Sequence, residues 1–403
     1  MTGDRSPAAK GPGEGRLAFL SLGFRPFFLL AAVWAAVAVA LWIAVYDGRL
    51  TLPGPADPLA WHAHELLFGY LWAVLAGFLL TALPSWTKRP PVSGTPLAVL
   101  AGLWVLGRGA MLLPGLALPQ AGLVALLFPV AFAAVVLREI IGGGSRRNLP
   151  VGLAIVVLVL AQIGFLAENV LLGYAPYAPR LAIAVMVMLV SLIGGRVTPN
   201  FTANWLRSSE RGSEPAPFGT LDRLVVFAGA VALALWILQP GAPPWLERTA
   251  GVALAVAGIG HLVRQARWSP FAVRREPLLA VLHLGYLFVP LGFVLGAAAV
   301  FRPGWIDGAT ALHAWTVGAF GLMPIAIMVR ATRGHSGLPL TAPPATVVVF
   351  GAILAATLLR LGAGAGLIDP ALGLRLAGLC WSLGFLGFLG LYGRVCIVKS
   401  APH

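Results

Sequence analysis

Long apolar stretches separated by short polar connections run the length of the chain. Windows of about 20 apolar residues, enough to cross a hydrocarbon core of about 30 Å, fall near 27–46, 63–83, 96–114, 119–137, 150–171, 180–195, 221–239, 249–264, 278–299, 310–329, 343–362 and 372–393. The pattern predicts an all-α polytopic membrane protein of about twelve spans, the sixth being the shortest. Composition agrees: 59% of the 403 residues are hydrophobic, mean hydropathy is +0.88, and 10% are charged, against roughly 25% charged in soluble domains.

A net charge of +14 would suit a nucleic-acid partner, but the placement of the cations argues for a lipid bilayer instead. In alternate connections from the N-terminus, 21 of the 28 Lys and Arg residues collect on one side. The remaining seven, Arg49, Arg108, Arg180, Arg248, Arg302, Arg360 and Arg375, lie at the opposite ends of the spans. By the positive-inside rule both termini are cytoplasmic and the number of spans is even. Residues 1–16 read as a disordered cytoplasmic tail without a signal-peptide cleavage site, and 17–400 as one transmembrane domain. Helices 1–6 occupy about 17–196, a polar cytoplasmic loop about 196–222, and helices 7–12 about 222–398. That six-plus-six layout is shared with transporters built from repeats, although the two halves show no convincing sequence similarity. Cys380 and Cys396, the only cysteines, provide neither a disulfide framework nor a motif for iron–sulfur clusters or covalently attached haem.

The candidate chemistry begins at Trp61-His62-Ala63-His64-Glu65, the periplasmic start of the second span. Ionisable groups at a membrane edge point to function, and imidazole commonly holds transition metals and haem iron. On a helix, His62 and His64 point roughly 200° apart, whereas His62 and Glu65 share a face. Two centres, or one ligand and one supporting partner, fit that geometry better than a single centre. The plainer alternative is interfacial anchoring, with Trp61 in the aromatic belt. His313 begins the tenth span at the same depth, and Glu168 and Asn169 lie near the periplasmic end of the fifth. Glu65 and Glu168 are the candidate proton carriers; a helix-end cap is the equal alternative for Glu168. His283 is followed one turn later by Tyr286, and His335 lies in the cytoplasmic segment from Arg330 to Gly337. Arg330 and Arg333 beside it suit haem propionates or another anion, or serve only as topology signals. His261 reads as an interfacial residue, and Met186 and Met188 as packing rather than copper ligands.

Eight blocks in order resemble one family: Gly23-Phe-Arg25-Pro-Phe-Phe28; Trp61-His-Ala-His-Glu65 with Phe68-Gly69; Gly77-Phe-Leu-Leu-Thr81; Arg147-Asn148-Leu-Pro150; Gly194-Gly-Arg196-Val with Pro199; His283-Leu-Gly-Tyr286; Ala311-Leu-His313-Ala; and Arg330 through Gly334-His335-Ser-Gly337. They resemble the NnrS proteins, haem- and copper-containing bacterial membrane proteins associated with nitric oxide metabolism and denitrification. The resemblance spans nearly the whole chain. It implies non-covalent haem and copper in the bacterial inner membrane, with the motif histidines falling on His62, His64, His283, His313 and His335. Arg25 and Arg196 join Arg330 and Arg333 as candidate propionate or anion contacts. The family pattern carries Arg after the last glycine, where this chain has Leu338, which weakens an anion role for that turn.

The expected function is nitric oxide handling, as binding and protection or as reduction to nitrous oxide, the latter requiring an electron donor that no motif identifies. Two other classes compete: a transporter of copper, haem or a small anion, and a sensor or assembly subunit that binds haem without turnover.

Overall fold

The computed structural model describes residues 18–209 and 214–398; the tail expected over 1–16 lies outside them. Twelve apolar helices account for the architecture, and among the described residues there is no strand. They are α1 (Phe24–Tyr46), α2 (Pro58–Thr87), α3 (Thr95–Ala110), α4 (Leu118–Gly142), α5 (Arg146–Leu172), α6 (Ala178–Ser209), α7 (Thr220–Ile237), α8 (Pro244–Ala266), α9 (Pro277–Phe301), α10 (Gly308–His335), α11 (Pro344–Gly364) and α12 (Pro370–Ile397). Proline opens many of them, at Pro58, Pro96, Pro119, Pro244, Pro277, Pro344 and Pro370, where a missing N–H costs nothing and φ is already set. Asp57, Asp307 and Asp369 cap α2, α10 and α12 by accepting free backbone N–H groups, as N-cap carboxylates do.

Eleven of these helices are long enough to cross a membrane unaided; α3, at 16 residues, spans about 24 Å at 1.5 Å per residue. Its contacts show that it crosses nonetheless. Gly94, just before it, donates its N–H to the Leu20 carbonyl ahead of α1, 2.8 Å away. At its other end, the Met111 carbonyl sits so close to Gly54 that a Cβ on Gly54 would not fit. The even number of spans is thereby kept. Arg25 at the start of α1 donates to the carbonyls of Val395 and Cys396 at the end of α12 (2.8 and 3.2 Å), so the start of the first helix and the end of the last share one side. The sixth span differs from expectation. It continues helically to Ser209 through residues assigned to the polar loop, because Leu206, Ala203, Thr202 and Thr198 form a buried face along its second half.

Successive helices pack side by side, and α1 packs on α12 to close the ring. Enclosed most deeply are α2, α9 and α10, whose apolar windows are 78%, 67% and 72% buried against 33% for α1, α7, α8 and α11. Tyr70 of α2 donates its hydroxyl to the Phe320 carbonyl of α10 at 2.9 Å, joining two of these inner helices directly.

Among the described residues three helices carry a π-helical turn, in which one extra residue widens the coil, a feature frequent at functional sites. The turns are Glu65–Tyr70 in α2, Val190–Gly194 in α6 and Ala314–Ala319 in α10. They recur every fourth helix, an interval that a six-plus-six division does not have. Glycine marks each: Gly69 faces Trp34 and Arg108, Gly194 faces Met323, and Gly318 faces Phe288, all closer than a Cβ would allow. Small residues at such points let helices approach.

Candidate metal and haem centre

The first turns of α2 and α10 bring His62 and His313 to one cavity of about 360 Å³ whose walls are largely apolar. Trp42, Tyr70, Phe320 and Trp381 line it, and Arg360 of α11 supplies the cation. His62 lies flat on the Trp42 indole, with centroids 4.5 Å apart and planes 17° from parallel. Its Nδ1 is buried with no hydrogen-bond partner, an arrangement that protein interiors avoid and that leaves a ring nitrogen for a ligand. His313 Nδ1–H donates to the Ala309 carbonyl. That bond fixes the neutral tautomer with the lone pair on Nε2, the usual orientation device for a ligating imidazole. The donor chemistry, the flat aromatic walls and the orphaned nitrogen fit haem.

His64 points elsewhere, into a separate buried cluster. Its Nδ1–H donates to Glu65 Oε1 at 2.7 Å, while Gln162 Nε2 donates to its Nε2 at 3.3 Å. Both ring nitrogens are therefore engaged. Gln162 Oε1 in turn accepts from Trp72 Nε1 at 2.9 Å. Glu65 Oε2 accepts from Arg108 Nη1 at 2.8 Å, and the two side chains are 0% and 5% exposed. This closes a desolvated ion pair rather than a solvent-facing proton carrier. The divergence of His62 and His64 matches helix geometry, and Glu65, expected on the face of His62, bonds to His64 and Arg108 and does not line the cavity. The π-helical turn starts at Glu65 and so resets the phase of the residues that follow it.

A third polar cluster occupies α6, α8 and α9. His283 Nε2 is 2.9 Å from Thr202 Oγ1, and its Nδ1 is buried without a partner. One turn on, the Tyr286 hydroxyl accepts from Arg264 Nη1 (2.8 Å) and donates to His261 Nδ1 (2.9 Å). Arg264 Nε also pairs with Asp222 of α7 at 3.0 Å. His261 is thus buried inside a network and not interfacial. Its Nε2 is unpartnered but lies 3.1 Å from where a Cβ on Gly229 would sit, and its ring stacks on Phe293. A Cβ there would be a tight contact, asking the imidazole to give by a few tenths of an ångström.

The remaining candidates are dispersed. Arg25 holds the end of α12, and Arg333 donates to the Pro339 carbonyl (2.7 Å) and the Tyr392 hydroxyl (3.4 Å). Arg330 lies over the Phe201 ring at 4.0 Å, Arg196 is exposed, and exposed His335 stacks on Phe24 at 5.7 Å. None of these lines the His62/His313 cavity. Glu168 accepts from the backbone N–H of Tyr177 and Ala178, capping the start of α6. Among the described residues no three His, Cys, Asp or Glu side chains converge, so the residues do not fit a copper centre of that kind. The partners missed from sequence were Arg108, Gln162 and Arg360. Two carried a signal, since Arg108 and Arg360 are minority-side arginines that fall inside apolar windows.

Comparison with known families gives a match to the model of the NnrS protein over residues 18–399. No curated protein matches the chain. With the match running from the first described residue past the last helix, the chain belongs to the NnrS family of nitric-oxide-related membrane proteins.

Proposed function

We propose that this protein binds haem in the cavity between the first turns of α2 and α10 and handles nitric oxide there, at the periplasmic face of a bacterial cytoplasmic membrane. The observation that carries the reading is the meeting of His62 and His313 in one largely apolar cavity, one with its tautomer fixed by the Ala309 carbonyl and the other with an orphaned Nδ1. When bound, a haem iron supplies a redox-active centre with affinity for nitric oxide. The protein's part is to present two neutral imidazoles, to hold His62 against Trp42, and to keep water out with Tyr70, Phe320 and Trp381. The π-helical turns directly below give both histidine-bearing turns their orientation relative to the rest of α2 and α10.

The test is absorption spectroscopy of the purified full-length protein with haem quantified per chain. His62→Ala and His313→Ala each lose or strongly reduce the Soret band, whereas His335→Ala keeps it, and the reduced wild-type band shifts on addition of nitric oxide. Wild-type haem content in both cavity variants would refute the site. Haem or copper accumulation by proteoliposomes, with no haem retained by the protein, would favour a transporter.

A further inference from the structure

Arginine inside a membrane span is costly and is found paired with carboxylates, carbonyls or other polar groups. Most interior arginines of this chain obey that rule. Arg108 has Glu65, Arg264 has Asp222 and the Ser191 carbonyl, Arg25 has the last carbonyls of α12, and Arg333 has the Pro339 carbonyl. Arg180 donates to the Trp236 carbonyl and Gln239; Arg330 has no such polar partner, but it rests on the face of Phe201, away from the cavity. Arg360, one turn before the periplasmic end of α11, is different. It makes no hydrogen bond or ion pair among the described residues, yet it lines the cavity that His62 and His313 face. Its charge is felt by both histidines and by Asp307. Asp307 is near enough for the two charges to act on each other, but it makes no contact with the guanidinium within ion-pair distance, and its Oδ1 accepts the Thr310 N–H as the cap of α10.

A guanidinium without a protein partner, at the edge of a cavity whose other walls are aromatic and aliphatic, describes a ligand with a flat apolar body and an anionic rim. We infer that Arg360 is the anchor for a carboxylate of a porphyrin ligand seated between His62 and His313, an inference that rests on the haem reading of this cavity. Guanidinium geometry matches a carboxylate through two parallel N–H···O bonds. The four arginines that sequence reasoning nominated for this role are engaged or exposed elsewhere. A lipid phosphate offers related anionic chemistry, but the facing imidazoles favour a metalloporphyrin over an acyl chain.

The experiment compares haemin with haemin dimethyl ester, which keeps the ring and iron but removes both anionic groups. Each is titrated into haem-free, full-length protein in detergent, as wild type, Arg360→Met, Arg360→Lys and His62→Ala/His313→Ala. Wild type is expected to prefer the diacid, and Arg360→Met to lose that preference by weakening diacid binding about 10- to 100-fold, the worth of a charge-assisted hydrogen bond. Diester binding stays unchanged. Arg360→Lys recovers part of the preference, since it restores charge without the fork. Equal weakening of both ligands by Arg360→Met, or no preference in wild type, overturns the inference while leaving the haem site standing. Binding of both ligands that ignores the double histidine variant, or no binding at all, overturns the haem reading and the anchor with it. Displacement of haemin from wild type, but not from Arg360→Met, by solubilised phosphatidylglycerol assigns the arginine to lipid and also overturns the inference.

Discussion

Replacing Arg108 with Met removes one half of an ion pair from which water is excluded. Glu65 is 0% exposed and accepts two charge-assisted bonds, 2.8 Å from Arg108 and 2.7 Å from His64. Without the guanidinium, the carboxylate retains only the imidazole N–H against the full desolvation of its charge. Breaking a buried pair in this way costs about 3–5 kcal/mol, of which the lost contact of Arg108 with the Trp104 ring, 5.7 Å away, represents about 0.5–1 kcal/mol. The companion variant Arg108→Met/Glu65→Gln removes the stranded charge as well. It is expected to recover most of the loss, giving a coupling energy of about 2–4 kcal/mol in the double-mutant cycle. Equilibrium unfolding in mixed micelles of mild and denaturing detergent, followed by far-ultraviolet circular dichroism, measures each corner of the cycle. An Arg108→Met protein within about 1 kcal/mol of wild type, or a double variant no more stable than the single, would refute the account of this cluster as a mutually compensated buried pair.

Two further expectations test other parts of the structure. A Cβ at Gly292 would come within 2.2 Å of Trp315 Nε1, and that indole is held by its bond to the Val289 carbonyl; Gly292→Ala should therefore destabilise by about 1–3 kcal/mol through overpacking, and unchanged thermal stability in detergent would contradict it. For Asp307, burial raises the carboxyl pKa, but the hydrogen bonds from Thr310 and the charge of Arg360 outweigh it and hold the group below the ordinary carboxylate range. A depressed native pKa contributes stability above the unfolded value near about pH 4 and loses it as pH falls through the native one. Asp307→Ala should therefore cost about 1 kcal/mol at pH 7, with the gap to wild type closing only below about pH 4, and a gap independent of pH down to acid conditions would exclude the cap.

The alternation of apolar windows and polar connections made the twelve helices legible, and the asymmetry of the cations put the first and last helix ends on one side, as the contact of Arg25 with the end of α12 has them. Both follow from the bilayer, which acts on every residue of a span alike. The site was legible only in part. His62, His64 and His313 stood out because imidazoles are rare in such a chain, and their common depth followed from the topology. Which of them meet was not readable, since that depends on where a helix takes an extra residue, and no residue type encodes a π-helical turn. Gly69 and Gly318 mark the turns in α2 and α10, but glycine has too many uses in membrane helices to be decisive. The Arg108–Glu65 pair eluded sequence reasoning for a related reason. Its members lie on separate helices, and the same arginine could equally have been a topology signal at the end of a short span.

The π-helical turn in α2 also acts as a phase setting. Each residue advances an α-helix by about 100°, so a one-residue deletion within 65–70 that restored regular geometry would twist the two parts of the helix against each other by about that angle. Were the Tyr70 bond to Phe320 to hold the lower part in place, Trp61, His62 and His64 would all swing together. A swing of that size, about half the angle between the two imidazoles, would take both out of their present surroundings with no histidine mutated. In this helix the address of a ligand is written in residue count as much as in residue identity.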